Sequence, residues 1–106
     1  MDQEFVNNPL YTGLNAVVRC DSGGEVTFSE GEDAEILGGV VSFIGDISNL
    51  IGNSFGLDQL EEAQIQGRNT TAVCINQGDG YLGLLFDGKA RAKQIIPEVL
   101  KQMESR

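Results

Sequence analysis

The sequence predicts an α+β fold in which two helices cover an antiparallel β-sheet. Three observations lead to this prediction: short β-branched or alternating segments, glycine-rich turns between them, and two stretches whose apolar residues have helical spacing. In chain order the elements are β-β-α-β-β-β-α. We expect a two-layer α+β or sandwich arrangement, because sheet and helices each have an apolar side to bury.

The first two strands form a predicted hairpin. Residues 14–20 are mostly apolar and β-branched, and residues 25–29 alternate between polar and apolar side chains. Between them lies Asp21-Ser22-Gly23-Gly24. Glycine tolerates the positive φ that such turns require, so this segment indicates a tight turn.

A long central helix is predicted next, because the apolar spacing changes from two to three and four. It begins near Asp33, where several acidic residues favour a helix N-terminus, and ends at Gly56. The residues with this spacing are Ile36, Leu37, Val40, Val41, Ile44, Ile47, Leu50, Ile51 and Phe55.

Three further strands and a final helix complete the chain. The predicted strands are 60–66, 71–77 and 81–86, separated by glycine-containing turns. Asp87 is a candidate N-cap of the last helix. Pro97 should kink that helix or mark the start of its straight part, because proline lacks a backbone donor. The apolar face is Ala92, Ile95, Ile96, Val99 and Met103.

Length and charge exclude several classes of protein. With 106 residues, the chain has room for a single domain, 1–106. Sixteen acidic residues against seven basic ones and no histidine give a net charge of −9. This balance argues against nucleic-acid binding and against attachment to anionic lipid by charge alone. The lack of histidine excludes Ser-His and Cys-His nucleophile pairs and imidazole-bound zinc.

No motif indicates a cofactor, a metal or a catalytic residue. The chain has no P-loop, and Gly38-Gly39 does not follow a strand as a dinucleotide fingerprint would. The carboxylates at 30, 32, 33 and 35 match no EF-hand loop and are typical of a solvated helix start. We therefore expect a protein that is not an enzyme and needs no cofactor.

The compartment is predicted from the cysteines and the N-terminus. Cys20 and Cys74 lie in apolar stretches and are expected to be buried thiols. The first residues are acidic and polar, unlike a signal peptide, so a cytoplasmic location is expected. Residues 36–57 have the length of a membrane span, but Asp46 at their centre argues against insertion.

The long helix carries a stripe of small residues. Gly38, Gly45 and Gly52 are seven residues apart, with Ser42 and Asn49 between them on nearly the same side. Each glycine in a helix destabilises it by about 1 kcal/mol relative to alanine, which suggests a packing reason. We expect the apolar stripe to face the sheet and the small stripe to pack on the same helix of a second copy. The alternative is packing on the chain's own last helix.

The strand at 60–66 indicates a second contact. Polar side chains at Glu62, Gln64 and Gln66 alternate with less polar residues, so one side of this strand should be exposed to solvent. At a sheet edge its backbone would be a template for another strand, unless the negative charges of Glu61 and Glu62 disfavour such pairing. The predicted dimer interface is Gly38, Ser42, Gly45, Asn49, Gly52, Glu62, Gln64 and Gln66.

Several motifs together resemble the Roadblock family of dynein light chain and bacterial GTPase-regulator domains. They are the start of the first predicted strand at 13–18, the turn at 21–24, and the connection at 55–60 from the long helix to the strand that includes 63–67. The start of the last predicted strand, Gly80-Tyr81-Leu82, is the fourth. The resemblance spans about residues 13–104. Profilin-like and longin domains share parts of this layout.

The resemblance implies a five-stranded sheet in the order 2-1-5-4-3. It implies homodimers, or heterodimers with a paralogous Roadblock-like chain, that join third strands edge to edge and pack long helices together. It also implies that no disulfide links Cys20 to Cys74, whose strands are separated by the fifth. Members of the family act as non-catalytic platforms, and many bind a small Ras-like GTPase.

One departure concerns the N-terminus. Family members carry a full helix before the first strand, whereas here residues 1–12, with Pro9 among them, leave room for a short turn only. We expect the surface that this truncated helix would cover to be open or taken by a partner.

The leading hypothesis is therefore a dimeric module that scaffolds or regulates a small Ras-like GTPase. The alternative is a small ligand-sensing or signalling-adaptor domain of profilin-like fold, which would need a pocket between sheet and helix.

Overall fold

The computed structural model describes residues 5–55 and 61–104, without the side chains at 48, 49, 51–55 and 104. A 3₁₀ turn, Pro9–Tyr11, comes first. The strands are β1 (Leu14–Asp21), β2 (Val26–Glu30), β3 (Glu62–Gln66), β4 (Thr70–Asn76) and β5 (Gly80–Asp87). The helices are α1 (Ala34–Phe55) and α2 (Ala92–Glu104). Gly56, the predicted end of the long helix, lies outside the described residues.

The five strands form one antiparallel sheet in the order β2-β1-β5-β4-β3. This confirms the α+β class and the strand order that the Roadblock resemblance implies. β1 and β5 lie at the centre, while β2 and β3 each pair with one strand and form the two edges.

The helices lie on opposite faces of the sheet, so the two-layer expectation is wrong. In β5, Leu82 and Leu84 pack in one cluster with Ile95 and Val99 of α2. The other face packs against α1 in a second cluster, whose buried members are Ala16, Val18, Cys20, Ala34, Leu37, Val41 and Cys74. The central strands are apolar on both sides, so each face requires its own helix.

The N-terminal segment covers part of the α2 side of the sheet. Phe5, Val6 and Tyr11 are buried in the α2 cluster. The Glu30 carboxylate accepts hydrogen bonds from the backbone N–H groups of Phe5 and Val6, at 3.0 and 3.1 Å. The ring of Phe5 meets that of Phe28 edge-on. The residues before β1 are therefore packed on this face of the sheet, and the open or partner-covered surface expected from the missing helix stays a prediction.

The last helix begins later than predicted. Asp87 ends β5, and its Oδ1 accepts from Lys89 N at 2.8 Å, so it stabilises a turn and does not cap α2. The first turn of α2 instead uses Arg91 O, which accepts from Ile95 N at 3.0 Å. Pro97 lies inside the helix.

The described residues include neither a bilayer-crossing helix nor a metal-binding cluster. Neither described helix has both the length and the apolarity to cross a bilayer. Within 5–55 and 61–104, no three His, Cys, Asp or Glu side chains come together as a metal site would require.

Candidate interaction surface

A strip of large apolar side chains lies exposed on the outer side of α1. Ile36 is 71% exposed, Phe43 64%, Ile47 39% and Leu50 68%. With Val40, which is half-buried, they form what we call the α1 face. Their spacing of four, three, four and three is that of a coiled-coil seam. Contiguous apolar surface of this kind marks a site of protein association.

The edge strand β3 extends the α1 face. Ile65, 52% exposed, lines the same apolar groove of about 510 Å³ as Ile36, Phe43 and Ile47. The groove walls are almost wholly apolar and lack the few polar groups that orient a small molecule. This composition suits another protein surface better than a metabolite.

The β3 backbone has one side free. Asn76 N donates to Glu61 O at 2.8 Å, and the register continues through Ala63 opposite Cys74. Hydrogen-bonded pairs alternate along an antiparallel ladder, so every second residue of β3 bonds to β4. The others, Glu62, Gln64 and Gln66, direct their backbone groups away from β4. The edge position predicted for this strand is confirmed, and pairing with a second copy stays a prediction.

The described part of the small-residue stripe, Gly38, Ser42 and Gly45, faces the chain's own sheet. A Cβ on Gly38 would lie 3.2 Å from Val26 Cγ2, and one on Gly45 would lie 3.0 Å from the Tyr81 ring. Ser42 lies against the β1–β2 turn, since a Cβ on Gly24 would lie 2.8 Å from Ser42 Oγ. The orientation expected from the sequence is therefore wrong.

The physical reason for this correction is the closeness of the helix to the sheet. Small residues let the α1 backbone approach β1, β2 and β5, and the larger apolar residues are divided between two sides. Leu37 and Val41 are buried against the sheet, while the α1 face is turned outward. Gly38, Ser42 and Gly45 thus lose the basis on which they were assigned to a dimer interface. These three residues do not pack on the last helix either, because α2 lies on the other face of the sheet.

Two assigned residues cannot be placed in the same way. Asn49 and Gly52 belong to α1, and their surroundings lie outside the described part of the chain. Of the eight predicted interface residues, the structure brings Glu62, Gln64 and Gln66 to the open edge next to the α1 face. The sequence reasoning missed the α1 face itself, although its heptad-like spacing was visible.

The two cysteines are free and buried. Burial raises the pKa of both thiols, that of Cys74 to about 11. Both therefore stay protonated at neutral pH and have little nucleophilic character. Each behaves as a small apolar residue between the sheet and α1.

A small polar cavity lies beside the β1–β2 turn. It has a volume of about 200 Å³, and its walls include Asp21, Asp46, Ser42 and Tyr81. Sites for small molecules usually enclose about 300–1,000 Å³. This cavity therefore gives little support to the ligand-sensing alternative.

Comparison with known proteins gives a match in structure alone. No family model matches the chain, and no curated protein matches it in sequence. A Roadblock/LC7 domain from Streptomyces avermitilis superposes with a TM-score of 0.76 at 16% identity, over 90% of this chain and 83% of that one. The chain has the Roadblock fold.

Two proteins named MglB share this Roadblock fold. MglB of Myxococcus xanthus superposes with a TM-score of 0.71 at 14% identity, over 83% of this chain and 76% of that one. A structure described as MglB with tetrameric arrangement gives 0.72 at 16% identity, over 87% and 74% of the two chains. The agreement extends over most of both chains in each case.

Proposed function

We propose that this chain is a non-catalytic Roadblock-type module that self-associates through the α1 face and the β3 edge. The observation that carries the proposal is the position of Ile65. It joins an exposed apolar helix strip to an open strand edge in one continuous surface. Strand pairing supplies directional hydrogen bonds, and burial of the strip supplies about 25 cal/mol per Å² of apolar area.

The partner of the assembled module is a small Ras-like GTPase in this proposal. The Roadblock fold and the MglB-like neighbours support it, because regulation of such a GTPase is what the family resemblance implies. The module acts by holding the GTPase and biasing its nucleotide state. A paralogous Roadblock-like chain could take the place of the second copy, and the working location is the cytoplasm.

Self-association is tested by Phe43→Glu, which places a charge at the centre of the α1 face. We expect the wild type to have twice the monomer mass in light scattering at micromolar concentration, and the variant the monomer mass. Leu10→Glu is a matched control, since Leu10 is also an exposed apolar side chain but lies outside the α1 face. A monomeric wild type, or equal masses for all three proteins, would refute self-association through this surface.

The GTPase role needs a separate measurement. Ras-like GTPases of the source organism, loaded with GDP or a non-hydrolysable GTP analogue, are titrated with the wild type. We expect one GTPase to bind in a nucleotide-dependent way, with altered nucleotide release or hydrolysis. Binding should fall with Phe43→Glu if the assembled module is required. Lack of nucleotide-dependent binding to any of them would reject this role.

A further inference from the structure

A basic groove lies on the α2 side of the molecule, away from the α1 face. Lys89, Arg91 and Lys93 are three of the seven basic residues, and no acidic residue lies between Asp87 and Glu98. All three side chains are exposed. None of them forms an ion pair among the described residues. Local positive charge is thus left unneutralised in a chain of net charge −9.

This charge borders an apolar feature. A groove of about 270 Å³ runs between the 3₁₀ turn and the start of α2, with Leu10 on one wall and Lys89 and Arg91 on the other. Leu10 is 79% exposed, the largest fraction among the exposed large apolar side chains of the described residues. Tyr11 and Ile95, both buried, form the floor.

Both walls of the groove are held by hydrogen bonds. On the turn, Leu10 N donates to Asn8 Oδ1 at 2.9 Å and Thr12 Oγ1 donates to Pro9 O at 3.0 Å. On the other wall, the bond from Lys89 N to Asp87 Oδ1 fixes the loop. A preformed surface loses less entropy on binding, so an exposed leucine held in this way is suited to a contact.

We propose that this basic groove binds a short acidic segment of a partner protein that carries one apolar side chain. The apolar side chain packs on Leu10 above the Tyr11–Ile95 floor, and flanking carboxylates pair with Lys89 and Arg91. Arginine offers a planar fork that matches a carboxylate, which gives Arg91 the larger share of the recognition. Glu98 at one end of the groove repels further carboxylates and limits the length of the segment.

Charge complementarity favours this occupant over a polyanion or a second copy. Beyond about 8 Å at physiological ionic strength charges are largely screened, so a short segment responds mainly to the charges at the groove itself, which are Lys89 and Arg91 against Glu98. An extended nucleic acid, an anionic membrane or another chain of net charge −9 would also meet the acidic surface. The groove and the α1 face lie on opposite sides of the sheet, so both can be occupied together.

The test uses a fluorescein-labelled ten-residue peptide of Glu and Asp with a central Leu, followed by anisotropy. We expect saturable binding that Arg91→Glu weakens at least tenfold and Leu10→Ser at least threefold. Arg68→Glu is the matched control, because Arg68 is exposed on the β3–β4 turn, and it should change the affinity less than twofold. Replacing the acids of the peptide by Gln and Asn, or its Leu by Ser, should abolish binding.

Four results would overturn the proposal. They are no binding at millimolar peptide, equal loss for Arg91→Glu and Arg68→Glu, equal binding of the acid-free peptide, and tighter Arg91-dependent binding of single-stranded DNA or phosphatidylserine vesicles. Circular dichroism of each variant shows that it is folded. Peptide binding by the Phe43→Glu variant separates this groove from the association surface, so either proposal can fail alone.

Discussion

Gly83 shows how tightly the sheet and α1 pack at one residue. It lies in β5 opposite Val18 and Cys74, and a Cβ there would overlap Val41 of α1. We predict that Gly83→Ala lowers the free energy of unfolding by about 1–3 kcal/mol, because overpacking forces a helix or strand to shift. The measurement is urea unfolding of the purified variant.

Gly88→Ala is the control for this prediction. Its Cβ would lie 3.7 Å from Asn69 O, an ordinary contact, so the unfolding free energy should change by about 0.5 kcal/mol or less. Equal stabilities of the two variants would contradict the packing described for Gly83. In the sequence, Gly83 looks like any other residue of a predicted strand. Val41, which its Cβ would overlap, lies 42 positions earlier in the chain.

The Cys74 thiol makes stability depend on pH. Its pKa rises from 9.0 to about 11 because burial disfavours the thiolate. The unfolded chain therefore loses this proton first as pH rises, and the contribution is complete below pH 9 and lost towards pH 11. We predict that the unfolding free energy of the wild type falls by about 2 kcal/mol more than that of Cys74→Ala between these limits.

Urea unfolding at pH 8, 9, 10 and 11 measures this difference. Cys20, whose pKa burial also raises, is present in both proteins, so its contribution largely cancels in the comparison. Parallel pH profiles for the wild type and Cys74→Ala would mean that the thiol ionises as readily in the folded protein as in the unfolded one.

At the scale of elements, the sequence was most informative where the apolar period was clear. The hairpins and the central helix agree with the prediction because adjacent strands and turn glycines determine them locally. The strand order, with β1 beside β5, is not local and was implied by the Roadblock resemblance. The side of α1 that meets the sheet could not be read in the same way. Ile36 and Leu37 are equally apolar neighbours, and only the close approach of β1 and β2 to Gly38 decides which of them is buried.

The role of the β3 edge is tested by Gln64→Pro. Gln64 N–H points away from β4, so proline there removes no backbone hydrogen bond of the monomer and is tolerated on an edge strand. It does remove the side-chain bond from Gln64 Nε2 to Glu62 Oε2, which alanine at this position removes as well. Proline also removes a donor from any strand added outside β3. We predict that the dimer dissociation constant in analytical ultracentrifugation rises at least tenfold, with the monomer still folded.

Gln64→Ala is the matched control, since it loses the same side chain and keeps the N–H. It should change the dissociation constant less than threefold. If both variants weaken the dimer equally, the side chain and not the strand edge makes the contact. If neither does, β3 is not part of the interface.

The whole molecule has a divided charge. Ten acidic residues and no basic one lie between Arg19 and Arg68, a span that includes β2, α1 and β3. The remaining basic charge lies mostly from Lys89 onward, along α2 and the groove. Association through the α1 face therefore brings two acidic halves together, while the basic groove stays outside the contact. The two proposed surfaces differ both in their position on the molecule and in the sign of the charge around them.

This division gives the dimer a salt dependence opposite to that of the basic groove. Screening acts over about 30 Å at 0.01 M salt and about 8 Å at 0.15 M, so added salt weakens the repulsion between acidic halves. We predict that the dimer dissociation constant falls roughly three- to tenfold between these concentrations, whereas peptide binding in the groove weakens. Glu62→Gln should flatten the salt dependence of the dimer more than Glu25→Gln, which removes the same charge at the opposite sheet edge. A dimer that weakens with salt, or equal slopes for the two variants, would place the acidic surface away from the contact.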